Sequence, residues 1–147
     1  MDDRAVMEAS AGARLGLLAA SFQRLTGRPL TPDGDLWSAT SAILAHDTHN
    51  PPRFIYGNAL ALDLFKMPVA DFLGRPSHTS AEPAHREERA RMFALLEAHD
   101  VVTGYAGVRI AADGTRFRIE DAIIWNLVDE HGQRHGQAAW FARWTAL

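Results

Sequence analysis

Two amide side chains, Asn126 and Gln137, are the residues of this 147-residue chain best suited to reading a ligand. If His131-Gly132 supply the central residues of a hairpin turn, Asn126 lies opposite Gln137, Trp125 opposite Ala138 and Ile123 opposite Trp140. Facing amides on adjacent strands offer donors and acceptors together and can recognise the edge of a planar heterocycle. They can equally satisfy each other at the sheet surface. Trp125 and Phe93 are the expected apolar walls of such a site, with Tyr56 and Arg109 as further contacts. The expected pocket lies between the sheet and a helix over residues 84–98.

Other constellations carry less chemistry. The sequence holds seven histidines and no cysteine, so disulfides, thiolate metal sites, iron–sulfur clusters and cysteinyl adducts are excluded. His46-Asp47-Thr48-His49 has metal-compatible side chains but lacks an identifiable third ligand, and no metal is expected. His131 and His135 would share a face only on a helix, and they fall in a hairpin. Ser77, His78 and Ser80 lie close together without a strained nucleophile turn, and Ser80 reads as a helix cap. Gly12 and Gly16 sit inside a helical segment, so neither belongs to a phosphate loop. An enzyme would have to rest on Glu120, Asp121 and scattered histidines, and no catalysis is expected. Asp121 interrupts an apolar strand pattern, which a bulge or an edge placement turning the carboxylate outward would explain; an inward carboxylate would need a partner other than Arg109 or Arg118.

Charge and hydropathy bound the surroundings. A net charge of −3 and a pI near 6.1 argue against a nucleic-acid surface. The acidic start, Met1-Asp2-Asp3-Arg4, does not resemble a signal peptide, and no apolar run approaches a membrane span. A cytoplasmic location is expected.

The elements that would position these residues follow from periodicity. Ala11, Leu15, Leu18, Phe22 and Leu25 form one stripe of a helix over Val6–Leu25, stopped by Gly27 and Pro29. A short helix is expected over residues 33–42 and a strand over Ile43–His46. A second strand, Arg53–Gly57, leads through the capping residue Asn58 into a helix to Lys66. A further helical turn from Pro68 ends at Gly74. Pro83 or Ala84 opens the long helix, with Ala90, Met92, Phe93 and Leu96 inward. Strands at Tyr105–Ala111, Thr115–Val128 and Arg134–Trp144 then make a meander, joined through Asp113-Gly114 and His131-Gly132. A two-residue turn at Asp113-Gly114 pairs Ile110 with Phe117 and Val108 with Ile119. One apolar face then runs through Phe117, Ile119, Ile123, Trp125 and Leu127. The other bears Ala122, Ile124, Ala139 and Phe141 and needs a cover, for which the N-terminal helix is available. That stripe could instead pair with its copy, and the apolar back face predicts a homodimer.

Strand, strand, short helices, a longer helix and a three-strand meander together resemble a PAS-type domain. Three blocks narrow this to the MEKHLA family, as a small stand-alone bacterial-type member. They are Tyr56-Gly57-Asn58 with Leu64-Phe65, then Pro76-Ser77, Ser80-Ala81-Glu82-Pro83 and Arg86–Ala90, and finally Gly107–Ile110 with Arg118–Ala122 and Trp125-Asn126-Leu127. The resemblance spans about residues 40–142. It implies an α+β, PAS-like fold with a five-stranded antiparallel sheet, helices on one face and an N-terminal helical extension (1–39) before the domain proper (40–147). It also implies a sensory or regulatory module, without catalytic residues to carry over. PAS-type flavin sites use amides on the two strands that bear Asn126 and Gln137, and haem-binding PAS domains take an axial ligand near the long helix, which His85 and His99 bracket. Flavin and haem both stay open as cofactors. Since no effector domain follows Leu147, output is expected through association, with itself or with another protein. The rival is a ligand-free interaction domain, its interior filled by Leu62, Phe65, Phe72, Phe93, Leu96, Trp125 and Trp140.

Overall fold

The chain begins with two helices where periodicity predicts one, α1 (Asp3–Ala11) and α2 (Arg14–Thr26). Gly12 separates them at φ 57°, a left-handed backbone that the stripe of apolar residues does not reveal. Asp2 caps α1 by accepting the Ala5 amide hydrogen. The computed structural model describes residues 2–81 and 86–147. No helix forms over residues 33–42. There the Asp33 and Asp35 carboxylates accept the amides of Asp35 and Trp37, local turns that compete with helix.

Strands β1 (Ala42–His46) and β2 (Phe54–Gly57) follow, and Asn58 ties them to the next helix. Its Oδ1 accepts the amides of Ile43 and Ala61, and its Nδ2 donates to the Leu36 and Ser41 carbonyls. It thereby caps α3 (Ala59–Phe65) while closing the end of β1. The turn α4 (Val69–Phe72), a 3₁₀ turn over Ser77–Ser80 and the long helix α5 (Arg86–His99) complete the middle of the chain. The predicted start of α5 at Pro83 or Ala84 lies outside the described residues.

The meander is built from β3 (Val101–Ile110), β4 (Arg116–Val128) and β5 (Arg134–Phe141), with a final β6 (Arg143–Ala146). The sheet is antiparallel in the order β2-β1-β5-β4-β3, and β6 pairs with β4. β6 prolongs β5 in the same register, since Trp140 faces Ile123 and Arg143 faces Glu120. Gly136, at φ 144°, lets β5 reach β1, because a Cβ there would stand 2.2 Å from the His46 carbonyl oxygen.

Register decides which side chains share a face. In the second hairpin Asn126 faces Gln137, Trp125 Ala138 and Ile123 Trp140, as the sequence predicts. The first hairpin is one residue off. Ala111 and Thr115 close a three-residue loop, so Ile110 faces Arg116, and Gly107 faces Ile119. A bulge at Glu120-Asp121 then interrupts β4, with Asp121 at φ 52° and its exposed carboxylate paired with Arg143. The outward-turned Asp121 fits the bulge expectation. Its consequence is larger than expected, because the alternation shifts across it. Phe117 and Ile119 face the middle helices, whereas Ile123, Trp125 and Leu127 face the N-terminal ones.

Two apolar layers result. On the inner face Phe65 packs edge-on against Phe117 (5.4 Å between centroids) and Phe54 stacks on Phe72 (4.4 Å). On the outer face α2 covers Trp125, whose ring meets Phe22 edge-on at 4.9 Å and whose Nε1 donates to the Leu18 carbonyl at 3.2 Å. Ser21 Oγ bonds both the carbonyl and the amide of Val128, and Ser10 Oγ donates to the Ile55 carbonyl. The helical stripe is therefore spent on the chain's own sheet. The N-terminal helices thus cover the Trp125 side, whereas Ile124, Ala139 and Phe141, expected on the face they would cover, lie on the inner side instead.

Candidate functional site

The inner face leaves a cavity of about 430 Å³ between the sheet, the Ser77–Ala81 segment and α5. Leu44, Ile119, Ile124, Ala139 and Phe141 form an apolar floor, and Phe54, Phe65, Met92 and Phe93 stand around it. Its size and apolar lining suit a small organic guest. α5 closes it only in part. Leu96 is buried and Met92 half-buried, but Phe93 is 42% exposed and Ala90 points to solvent, against the predicted inner face.

Polar groups enter the cavity at two ends. His46 and Gln137 are paired across β1 and β5 and both line it. Burial holds the His46 imidazole below its ordinary pKa, opposed by hydrogen bonds with the Asp47 backbone and the Gln137 amide. At the other end are Tyr105 and Arg109, on the inner face of the edge strand β3, with Arg118 also in the lining. The Arg109 guanidinium stands 5.6 Å from the Tyr105 ring centroid and donates to the Val108 carbonyl.

The structure thus brings three of the six predicted site residues to the cavity: Phe93, Gln137 and Arg109. Trp125 is not among them, because the Asp121 bulge turns it onto α2. Tyr56 is excluded by strand alternation. It pairs with Ala45 on the outer face, where it is fully buried beside α1. Among the described residues its hydroxyl has no hydrogen-bond partner, and burial followed by the charge of Glu8 pushes its pKa well above the ordinary value.

Asn126 does lie on the inner face opposite Gln137, yet its amide is committed elsewhere. Nδ2 donates to the Leu96 carbonyl at 3.0 Å and to Asp100 Oδ1 at 2.9 Å. Arg134 bonds the same two residues and the Glu97 carbonyl and carboxylate. These contacts satisfy carbonyls at the end of α5, which Asp100 terminates at φ 62°. Asn126 is an anchor for the helix over the cavity, a role the facing-amide argument did not anticipate.

His46, Tyr105 and Gly107 were missed. For His46 the signal was present, since it follows Leu44 by two residues on a predicted strand and shares its face. His78 also lines the cavity, while the remaining described histidines lie elsewhere. His49 Nδ1 contacts the Pro51 carbonyl, His135 Nε2 contacts Asp129 at 2.7 Å and His131 is exposed. His99 is exposed at the end of α5, and His85 lies outside the described residues. Among the described residues no three or more His, Asp or Glu side chains could hold a metal ion together. No described helix is long and apolar enough to cross a membrane.

The architecture is shared with known structures. The PAS domain of a protein from Colwellia psychrerythraea superposes with a TM-score of 0.62 at 18% identity, covering 76% of this chain and 90% of that one. A fungal LOV domain photoreceptor gives 0.60 at 20% identity, with 95% and 94% covered. The LOV domain of the blue-light photoreceptor Aureochrome1 gives 0.58 at 14% identity, with 69% and 74% covered. No curated protein matches the chain in sequence. The MEKHLA domain model matches residues 13–146, a span that takes in α2 as well as the whole sheet. Membership of that family agrees with the expectation of a non-catalytic domain. With the match covering nearly the whole chain, and the fold of the PAS class around it, this protein belongs to the MEKHLA domain family.

Proposed function

We propose that the domain is a sensory or regulatory module that binds a small, planar or apolar molecule in the inner cavity and signals through association. The observation that carries this reading is the unfilled 430 Å³ behind α5. Of the bulky side chains that could fill the interior, Trp125 and Trp140 lie on the outer face and Phe93 leans half into solvent. Phe93 then serves as a wall that a ligand would cover, and Gln137 with His46 as the polar reader. The PAS and LOV relatives lend the sensory part of the reading, with flavin and haem among the guests to try.

The test is native mass spectrometry and an absorption spectrum of the purified protein, followed by thermal shifts across a metabolite and cofactor panel. A ligand present at 100 times its Kd stabilises the fold by about 2.7 kcal/mol, a shift of several degrees for a domain of this size. Ala139→Phe, which fills the floor, should abolish that shift. An apo mass, a featureless spectrum and no shift across the panel would reject the reading.

A second reading, a ligand-free association domain, has its own observation. Phe93 and Leu95 on α5, and Trp144 and Leu147 at the C-terminal end, are large apolar residues left exposed. Light scattering over a concentration series tests for a homodimer, and a mass that stays monomeric at high concentration rejects self-association.

A further inference from the structure

The polar end of the cavity at Arg109 has a charge and a shape that narrow the class of guest. The chain as a whole is acidic, at −3. Yet Arg109 lines the cavity and no carboxylate stands among the described lining residues. Among the described residues Arg109 touches the Tyr105 ring and its own strand's Val108 carbonyl, neither of which neutralises its charge. Gly107 lies between them on the same face of β3. A Cβ built there would stand 2.8 Å from Tyr105 Oη and 3.1 Å from Arg109 Nη1. The missing side chain leaves room for a hydroxyl and a guanidinium to converge on one point, which a Cβ would push apart. A hydroxyl donor and a fork of N–H donors at one point match an oxyanion.

We propose that the ligand of this cavity carries an oxyanion, a carboxylate or a phosphate, seated on Arg109 and the Tyr105 hydroxyl above Gly107, with its planar part reaching toward His46 and Gln137. This rests on the ligand-binding reading and adds to it the charge of the ligand. A hydrogen-bonded contact with a full charge changes affinity by about tenfold to a hundredfold.

Isothermal titration of the full chain with matched naphthalene pairs tests it: 2-naphthoate against 2-naphthamide, and 2-naphthyl phosphate against 2-naphthol. At least one anion should bind ten times or more tighter than its neutral partner, and which one does so separates carboxylate from phosphate. That advantage should shrink to within threefold in Arg109→Gln, persist in part in Arg109→Lys and weaken in 0.5 M salt. Gly107→Ala, which keeps every charge, should also reduce it, with urea unfolding confirming that the variants remain folded. Equal binding of anion and neutral partner overturns the oxyanion while leaving the cavity reading intact. An advantage that survives Arg109→Gln overturns the assignment to Arg109. Failure of all four probes to bind overturns the cavity reading and the proposal with it.

Discussion

Removing the Asn126 amide should loosen α5, and the size of the effect follows from what its two acceptors retain. Asn126 is 3% exposed and donates to a neutral carbonyl, Leu96, and to a carboxylate, Asp100. A hydrogen bond to a neutral group contributes about 1 kcal/mol and one to a charged group about 1.5–3 kcal/mol. Neither acceptor is orphaned in Asn126→Ala. The Leu96 carbonyl keeps the Asp100 amide at 2.9 Å, and Asp100 Oδ1 keeps Arg134 Nε at 3.0 Å. The lower end of the range therefore applies, and Asn126→Ala should cost about 2 kcal/mol, roughly thirtyfold in the folding equilibrium. Asn126→Asp should cost more at neutral pH, because it sets a second carboxylate beside Asp100. Two like charges 4 Å apart repel by about 4 kcal/mol at an effective dielectric of 20, reduced here by the guanidinium of Arg134. Protonation of the new carboxyl relieves the repulsion, so the gap between the two variants should narrow as pH falls towards 5. Urea unfolding at pH 7 and pH 5 measures both, with amide exchange in the last turn of α5 as the local readout. An Asn126→Ala protein within 0.5 kcal/mol of the parent, or an Asp variant no weaker than the Ala variant, would refute the anchor.

Trp125→Ala should cost about 3–5 kcal/mol, since it empties a fully buried site and removes the bond to Leu18. Deleting residues 1–27 uncovers the same face and should lower the urea midpoint at least as much; a truncated protein as stable as the parent would contradict the packing of α2. His46 should titrate below the ordinary histidine value by NMR, because burial disfavours its charged form. A folded-state pKa depressed in this way makes the native state bind fewer protons than the unfolded one. The His46 contribution to stability is therefore present above the unfolded histidine pKa of about 6.5 and is lost as pH falls through the folded value. Gln137→Leu, by removing a bond that favours the imidazolium, should lower the His46 pKa further, and an unchanged titration would separate the two side chains.

The order of elements from β1 to β5 and the capping of α3 by Asn58 were legible in the sequence because each rests on a local signal. A strand, a capping amide and an apolar helical repeat are all visible within a few residues. Parity across β4 was not. The apolar run from Phe117 to Leu127 reads as one face only if alternation is unbroken, and Asp121, already conspicuous as a carboxylate in that run, breaks it. Asp adopts the left-handed backbone more readily than most residues, so a single position at φ 52° reorients the strand without leaving a pattern of its own. Assigning both Trp125 and Asn126 to one pocket ignored that neighbours on a strand point to opposite sides. Turn length was the second hidden variable. Both hairpins close with three-residue loops, and the second recovers its predicted register only through a further shift between Asn126 and Val128.

The bulge also explains why there is a cavity at all. Side-chain volume summed along the sequence is enough to fill a core, but the sheet divides that volume between two faces. By turning Trp125 outward, the bulge commits the largest fully buried side chain to the contact with α2, and Trp140, its neighbour on β5, lies on the same side. The inner face keeps Ile124, Ala139 and Gln137 at the corresponding positions, which are smaller or polar. α5 is held over them at its C-terminal end by Asn126 and Arg134, while the Phe93 ring lies half in solvent. A space enclosed in this way depends on one backbone conformation at Asp121. It follows that Asp121→Gly, which keeps the left-handed backbone, should preserve the cavity, whereas an insertion or deletion at residues 120–121 should exchange the two faces of β4 and remove it.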